Sequence, residues 1–293
     1  MSKKILVLGA GGLLGSALCP YLESRGHQVI KQGRRIQSQY NVDITEADEA
    51  SKFFSSIQPE VIINLAALTN VDYCETHPQE AYRVNSHIVE NISDWLKSAH
   101  SPCHLIQIST DQLYDGSGLH QESKIDPANY YSFSKYIGEL AALKVDGTVL
   151  RVNFFGLSGS DNRISFTDWL FQALQKKDPI SVFEDVFFSP LCIESLVEMI
   201  ELVVILKPIG TYNVGSTSGM SKAQFAFHFA NELGFSTKLM RPISIDQIDA
   251  LHAYRPKNMM MNVDKFQATV GIRLPLLIDQ IIKSAKDYYD LKK

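Results

Sequence analysis

The sequence predicts an α/β protein with a doubly wound parallel sheet (Rossmann-like) and a smaller C-terminal substrate lobe. Two observations support this fold class. Short apolar runs alternate strictly with helical patterns through the first half, and a glycine-rich turn joins the first apolar run to the first helical pattern. Because crossovers between parallel strands are right-handed, such alternation gives a sheet with helices on both faces. A length of 293 residues fits one large domain with an added lobe.

The predicted elements follow in chain order. Short apolar runs predict strands at KILVLGA, HQVIKQG, PEVIINLAA, CHLIQIST and TVLRVNFFG. Helical spacing predicts helices at Leu13 to Ser24, TEADEASKFFSSI, PQEAYRVNSHIVENISDWLKSA and YYSFSKYIGELAALKV. After about Gly156 helices mix with short strands, which include GTYNVGS, while RPKNMMMNVDKF is predicted to be a loop. We therefore expect residues 1–156 to be mainly the Rossmann domain and residues 157–293 mainly the substrate-binding lobe, with returning segments that complete the Rossmann domain.

Composition and charge argue against several classes of protein. Apolar residues make up 45% of the chain and charged residues 20%, which predicts an ordered protein with a substantial core. The net charge of -4 provides no basic field, so we expect neither a nucleic acid polymer nor a membrane as partner. The four cysteines form no CxxC pair and the histidines no HExxH motif, so no metal site is expected. These features predict a cytoplasmic protein with reduced thiols.

A glycine-rich turn in GAGGLLG predicts a dinucleotide site. Gly9, Gly12 and Gly15 stand at GxxGxxG spacing between the first strand and the first helix. The first glycine permits a tight turn, the second lets the backbone approach a pyrophosphate, and the third lets helix and strand pack closely. The positive end of the helix dipole would then face the phosphates.

The end of the second predicted strand, KQGRR, bears on the choice of cofactor. It lacks the carboxylate that would bind the ribose hydroxyls of NAD. Arg34 and Arg35 stand there instead, and a guanidinium can bind a 2′-phosphate in bidentate fashion. We therefore predict NADP(H), with NAD(H) as the alternative; one or both arginines could instead be solvated loop charges. Asp43 and Ile44 are expected beside the adenine, although Asp43 is equally well explained as a helix N-terminal signal.

The segment NYYSFSK contains a candidate proton donor. Tyr131 and Lys135 stand four residues apart, so on a helix their side chains share a face. A free tyrosine has a pKa near 10, and we expect the ammonium of Lys135 to lower the pKa of Tyr131. Tyr130 has no lysine at that spacing and is expected to be a packing neighbour.

Hydroxyl side chains end the fourth predicted long strand, IQIST. Ligands of doubly wound sheets bind at the carboxyl ends of strands, so Ser109 and Thr110 are candidates for the same site as Tyr131. A hydroxyl there can hydrogen-bond a substrate oxygen while Tyr131 exchanges a proton with it. Capping of the strand end is the alternative role, and one residue can serve each role.

Together these motifs resemble the extended short-chain dehydrogenase/reductase family. Within that family the chain is most similar to the dTDP-4-dehydrorhamnose reductases, through AALTNVDYCE, STDQLYDG, QESKIDPANYYSFSK and YRPKN. The resemblance spans nearly the whole chain. It implies an NADPH-dependent reductase of a nucleotide-linked 4-ketosugar, a role in polysaccharide biosynthesis, and a homodimer that pairs through long helices.

The resemblance also implies roles for individual residues. The catalytic residues would be Thr110, Tyr131 as general acid, and Lys135, which would also hold the nicotinamide ribose. The residues at the cofactor would be Gly9, Gly12, Leu13, Leu14, Gly15, Ala66, Ala67 and Asn85, together with Tyr131 and Lys135. The residues at the sugar nucleotide would be Thr69, Val71, Asn153 and Arg255, with Arg255 at the phosphates.

Departures from the group's pattern leave the sugar open. Ser132 replaces the glycine that usually follows the tyrosine, Leu68 replaces an aromatic residue, and Asn153 lies in a segment that differs from the usual LRTSWxYG. Two alternatives follow. One is a sugar-nucleotide epimerase or dehydratase that keeps NAD(H) bound and recycles it. The other is an NADP-binding regulatory subunit that resembles the beta subunit of methionine adenosyltransferase. The paired arginines favour exchangeable NADP(H), and the complete catalytic set favours catalysis.

Overall fold

A computed structural model describes residues 2–33, 39–159 and 164–292 of the chain. Its strands are β1 (Lys4–Leu8), β2 (Gln28–Gln32), β3 (Val61–Asn64), β4 (His104–Thr110), β5 (Thr148–Val152), β6 (Phe154–Phe155), β7 (Ile180–Phe183), β8 (Phe187–Phe188), β9 (Leu191–Cys192), β10 (Gly210–Val214), β11 (Met220–Ser221) and β12 (Met240–Ile243). Its α-helices are α1 (Leu13–Ser24), α2 (Ala47–Ile57), α3 (Val71–Thr76), α4 (Pro78–Tyr82), α5 (Ile88–Ser98), α6 (Tyr130–Leu143), α7 (Phe166–Lys176), α8 (Ile193–Leu206), α9 (Lys222–Glu232), α10 (Asp264–Val270) and α11 (Leu277–Tyr289). A π-helical turn, Arg83–His87, joins α4 to α5.

The central sheet has six parallel strands in the order β10-β5-β4-β3-β1-β2. An isolated parallel bridge between Gln32 and Tyr40 continues the pairing beyond β2. After β2 the chain crosses back to place β3 on the other side of β1, so the strand order reverses at the carboxyl end of β1. Ligands of open α/β sheets bind at this kind of switch point. The predicted doubly wound parallel sheet is confirmed.

Apolar helix faces cover both sides of the sheet. On one side α1 buries Leu14, Leu18 and Leu22, which recur every four residues and so form one stripe. On the other side Phe54 of α2 packs on Trp95 of α5, with 5.4 Å between their ring centroids. Because helices cover both faces, the central strands consist of almost uninterrupted apolar residues, the feature that predicted them.

The second half of the chain contributes a separate apolar cluster. Phe171 of α7, Phe225 and Phe229 of α9 and Tyr288 of α11 pack together there, and the rings of Phe229 and Tyr288 meet edge to face at 5.3 Å. Two-stranded pairs, β7 with β12 and β8 with β11, border this cluster. Strand β10 returns from this half to the edge of the central sheet, and α8 packs on the sheet beside α1. The boundary at residue 156 stays a prediction.

The described helices include none that is both long and apolar enough to cross a membrane.

Candidate active site

The glycine-rich turn lies at the carboxyl end of β1 and opens α1. Gly9 has a left-handed φ of +75°, and a Cβ atom there would lie 2.9 Å from the amide nitrogen of Ala66. Gly12 is the N-cap of α1 and brings no capping side chain. A Cβ on Gly15 would lie 2.4 Å from the carbonyl oxygen of Ala10. The turn therefore presents bare backbone at a helix N-terminus, which fits a pyrophosphate group.

A cavity extends from this turn toward the end of β2. Its lining includes Gly9, Gly12, Gly33, Asp43, Ile44, Ala66 and Ala67. The Asp43 carboxylate accepts hydrogen bonds from the amide of Thr45 at 3.0 Å and from its hydroxyl at 2.7 Å. Asp43 thus organises the turn before α2, as expected of a helix N-terminal signal, and it lines the cavity. Its contact with the adenine stays a prediction. Arg34 and Arg35 lie outside the described residues.

A second cavity, of about 380 Å³, adjoins the first at the glycine turn. Its lining includes Gly9, Gly12, Leu13, Leu14, Gly15, Ala67, Thr69, Thr110, Asp111, Tyr131, Lys135 and Asn153. Its size is typical of small-ligand sites. The fold thus brings the three candidate catalytic residues to one cavity beside the dinucleotide turn.

Tyr131 is fixed by the first turn of α6. The Asn129 side chain accepts a hydrogen bond from the amide of Ser132 at 2.8 Å, and the Ser132 hydroxyl accepts one from the amide of Asn129 at 3.3 Å. Ser132, the departure from the family pattern, is therefore part of a reciprocal helix cap. Tyr130 is 48% exposed, whereas Tyr131 is 7% exposed and faces the cavity.

The expected lowering of the pKa of Tyr131 is wrong for this structure. Burial raises the pKa of Tyr131 to about 12, and its hydrogen bond with Thr110 opposes that rise only in part. The Lys135 ammonium is not aimed at the phenol, because it donates to the carbonyl oxygen of Ile108 at 2.7 Å. Burial lowers the pKa of Lys135 to about 8, although the nearby carboxylate of Glu139 acts to raise it. At neutral pH Tyr131 is thus a neutral phenol with a proton to donate.

The two hydroxyl residues at the end of β4 have different surroundings. Thr110 lines the cavity, and its hydroxyl oxygen accepts a hydrogen bond from the amide of Gln112 at 3.1 Å. Ser109 donates to the buried carboxylate of Glu139 at 2.5 Å, and Glu139 forms an ion pair with Arg151 at 2.6 Å. Both residues line the cavity, but the Ser109 hydroxyl is bonded to Glu139, whereas the Thr110 hydroxyl caps the strand end.

Asp111 is a cavity residue that the sequence did not single out. It is 2% exposed, and its carboxylate accepts a hydrogen bond from the side-chain amide of Asn153 at 2.6 Å. Burial raises the pKa of Asp111 to about 6, and Asn153 and the charge of Lys222 oppose the rise. Its position directly after Thr110, at a strand end, was the one signal that could have identified it.

Asn85 lies behind the cavity rather than in its lining. Its side chain accepts a hydrogen bond from the amide of Leu68 at 2.8 Å and donates to the carbonyl of Leu68 at 3.1 Å and to the hydroxyl of Ser134 at 2.9 Å. It lies in the π-helical turn, an irregularity that often occurs at functional sites. Asn85 therefore fixes the segment after β3 against α6.

The expected sugar-nucleotide residues are not all at the cavity. Thr69 and Asn153 line it. Val71 is instead buried in an apolar cluster that includes Tyr131, so its side chain supports the tyrosine from behind. The guanidinium of Arg255 forms an ion pair with Asp72 at 2.7 Å. The same carboxylate also holds the loop on which Arg255 lies. Neither Val71 nor Arg255 is in the lining of this cavity, so their contacts with the sugar nucleotide stay predictions.

Metal-binding side chains are scattered. No group of three or more histidine, cysteine, aspartate or glutamate residues among those the structure describes could hold a metal ion.

Curated relatives match most of the chain. The spore coat polysaccharide biosynthesis protein SpsK of Bacillus subtilis is 28% identical over 243 residues, which cover 81% of this chain and 82% of the relative. The dTDP-4-dehydrorhamnose reductase of Streptomyces griseus is 26% identical over 274 residues, or 90% of this chain and 86% of the relative.

A solved structure and a family model complete the comparison. The dTDP-4-dehydrorhamnose reductase of Bacillus anthracis, crystallised in complex with NADP, superimposes with a TM-score of 0.87 at 23% identity, covering 98% of this chain and 100% of that one. At this identity the similarity shows a shared fold. The model of the RmlD substrate binding domain family matches residues 3–289. The chain therefore belongs to the RmlD substrate binding domain family, within the extended short-chain dehydrogenase/reductases that its motifs resemble.

Proposed function

We propose that the protein is an NADPH-dependent reductase that reduces the C4 keto group of a nucleotide-linked deoxysugar. The observation that carries this proposal is the meeting of Thr110, Tyr131 and Lys135 on one cavity that adjoins the glycine turn. The activity named for the Streptomyces griseus and Bacillus anthracis relatives supports the substrate class.

The residues around the turn fit a bound dinucleotide. Gly9 and Gly12 leave room that a side chain would fill, and the N-terminus of α1 faces the pyrophosphate position. Ala66 and Ala67 are assigned to the side of the nicotinamide ribose. When bound, the reduced nicotinamide supplies the hydride. NADP(H) is the cofactor we propose, with NAD(H) as the alternative.

Three cavity residues are assigned the proton transfer, the hydrogen bond to the substrate oxygen and the binding of the ribose. Tyr131 donates its phenolic proton to the alkoxide oxygen that forms as the carbonyl is reduced, and its raised pKa keeps that proton in place at neutral pH. Thr110 donates a hydrogen bond to the same oxygen. Lys135 binds the hydroxyls of the nicotinamide ribose.

NADPH oxidation over a panel of nucleotide-4-ketosugars tests the proposal. Tyr131→Phe should lower kcat by about 10²- to 10⁴-fold, the usual contribution of a positioned acid, while NADPH binding is kept. Tyr130→Phe is the matched control, since that neighbouring ring is exposed, and it should leave turnover unchanged. Near wild-type turnover of Tyr131→Phe would overturn the assignment of the acid.

The same panel separates the alternatives. An epimerase or dehydratase would convert a sugar nucleotide without net consumption of free NADPH. A regulatory subunit would reduce no ketosugar and would co-purify with a methionine adenosyltransferase. The homodimer stays a prediction.

A further inference from the structure

A buried ion pair lies behind the wall of the cavity that contains Lys135. Glu139 of α6 and Arg151 of β5 are 0% and 3% exposed. The guanidinium donates to the two carboxylate oxygens, from Nε at 2.9 Å and from Nη2 at 2.6 Å, so the contact is bidentate. Burying two charges costs about as much free energy as their attraction returns. Stability alone therefore does not explain an ion pair at this place.

Glu139 contacts the end of β4 through Ser109. The Ser109 hydroxyl, which belongs to the cavity lining, donates to the Glu139 carboxylate at 2.5 Å. Ser109 lies opposite Arg151 in the register of β4 and β5, so the carboxylate binds side chains from two neighbouring strands. The position of Glu139 relative to the strand end is therefore fixed.

Lys135 is bound to the same strand end and lies next to Glu139 on α6. Its ammonium donates at 2.7 Å to the carbonyl oxygen of Ile108, the residue directly before Ser109. Tyr131, Lys135 and Glu139 stand four residues apart in turn, so they form one stripe along α6. The negative charge of Glu139 acts on the ammonium and opposes the burial that lowers the pKa of Lys135. Two side chains of one helix thus hold consecutive residues of β4.

We propose that Glu139, held by Arg151, is a positioning residue for cofactor binding: its negative charge supports the Lys135 ammonium where the nicotinamide ribose binds. This inference rests on the proposed function. An ammonium has three N–H donors, and the carbonyl of Ile108 accepts from one of them, so donors remain for the ribose hydroxyls. Glu139 itself touches no ligand and acts through Lys135.

NADPH titrations at several pH values test this role without any turnover. In Glu139→Gln the ammonium loses its supporting charge, so the midpoint of the pH dependence should fall from about 8 to about 6.5 to 7. The NADPH dissociation constant should then be about 3- to 10-fold above wild type at pH 7.5. At pH 6.0, where Lys135 is charged in both proteins, the two constants should agree within about twofold. A merely structural role predicts the same weakening at both pH values.

A second variant keeps the test decisive if Glu139→Gln does not fold. Glu139→Leu combined with Arg151→Met replaces the pair by apolar side chains, a change that is often neutral or stabilising. It should show the same loss of NADPH affinity at pH 7.5 and the same recovery at pH 6.0. All variants keep the other titratable side chains of the cavity lining and of the π-helical turn packed on α6, which are Asp111, Tyr131, Arg83 and His87.

The matched control is Glu201→Gln. Glu201 is 7% exposed and pairs at 2.8 Å with Arg25, at the opposite end of α1 from the glycine turn, so this variant should bind NADPH as wild type does at both pH values. An equal loss at both pH values in a folded Glu139 variant would overturn the proposal, and so would an unchanged affinity at pH 7.5. A wild type that binds NADPH with this pH dependence but reduces no ketosugar would refute the proposed function and leave the role of Glu139 standing.

Discussion

Burial sets the protonation states of the three titratable side chains at the cavity. It raises the pKa of Tyr131 to about 12 and of Asp111 to about 6, and it lowers that of Lys135 to about 8. Each shift favours the neutral form, as expected where water is excluded. The sequence spacing of Tyr131 and Lys135 correctly predicted a shared surface. It could not predict the pKa shifts, because these depend on how deeply the rest of the chain covers the site.

Cofactor affinity should depend on the charge of Lys135. With its pKa lowered to about 8, Lys135 is charged below that pH and neutral above it. If the ammonium binds the ribose hydroxyls, NADPH affinity should fall as pH rises from 7 to 9.5, with an apparent pKa near 8. Fluorescence titration of NADPH measures this. Lys135→Met should bind NADPH weakly, and its affinity should not change with pH near 8. Lys144→Met should keep the wild-type pH dependence. A wild-type NADPH affinity that does not change with pH would contradict the role of Lys135.

Asp111 should cost stability at neutral pH. Its folded-state pKa of about 6 lies above the ordinary 3.8, so the folded protein binds more protons between these values and the free energy of unfolding falls as pH rises through them. Asp111→Asn should therefore raise the free energy of unfolding at pH 7.5 by about 1 to 3 kcal/mol. Urea unfolding at pH 5.0 should show a smaller increase in the free energy of unfolding of Asp111→Asn over wild type. A loss at pH 7.5 would show that Asn153 and Lys222 stabilise the carboxylate by more than burial costs.

At the scale of elements, sequence patterns predicted helix bounds where residues of the helix itself determine them. Helix α1 has the predicted bounds, Leu13 to Ser24, because a glycine N-cap and an apolar stripe define it. The long helical pattern from Pro78 is interrupted by a π-helical turn, Arg83–His87, whose cause is tertiary: Asn85 turns inward to hold Leu68. The predicted loop RPKNMMMNVDKF instead ends in the first residues of α10.

The crossing of α6 over the π-helical turn depends on Gly138. A Cβ atom there would lie 2.4 Å from the carbonyl oxygen of Asn85. Gly138→Ala should therefore lower the free energy of unfolding by about 1 to 3 kcal/mol through overpacking, although alanine favours helix. Because Asn85 fixes Leu68 and Ser134, NADPH affinity should fall as well. Urea unfolding and NADPH titration measure both effects, and a stabilised variant would contradict this packing.

At the scale of the whole molecule, the loop at residues 252–258 joins the two halves beside the cavity. Asp72 of α3 accepts hydrogen bonds from the amides of His252 and Ala253 at 3.0 and 2.9 Å and pairs with Arg255. Lys257, on the same loop, forms an ion pair with Asp185 of the second half at 3.2 Å. The sequence placed Arg255 near the phosphates by resemblance alone, and it could not show that Asp72 already holds this side chain.

Asp115 also attaches this loop to the first half, and its removal should affect substrate binding selectively. Its carboxylate accepts a hydrogen bond from the Tyr254 hydroxyl at 2.6 Å and one from the amide of Lys257 at 3.1 Å. Asp115→Ala should lower the free energy of unfolding by about 1 to 3 kcal/mol, and Tyr254→Phe, which loses one bond, by less.

Because the same loop holds Arg255, the KM for the sugar nucleotide should rise severalfold in Asp115→Ala while NADPH affinity stays unchanged. Urea unfolding, steady-state kinetics and NADPH titration check the three quantities, with Asp126→Asn as the exposed control. A sugar-nucleotide KM that stays at the wild-type value, in a variant shown to be destabilised, would mean that the loop tethers the two halves without positioning substrate. An equal rise in the NADPH dissociation constant would instead show that Asp115→Ala disturbs the whole cleft.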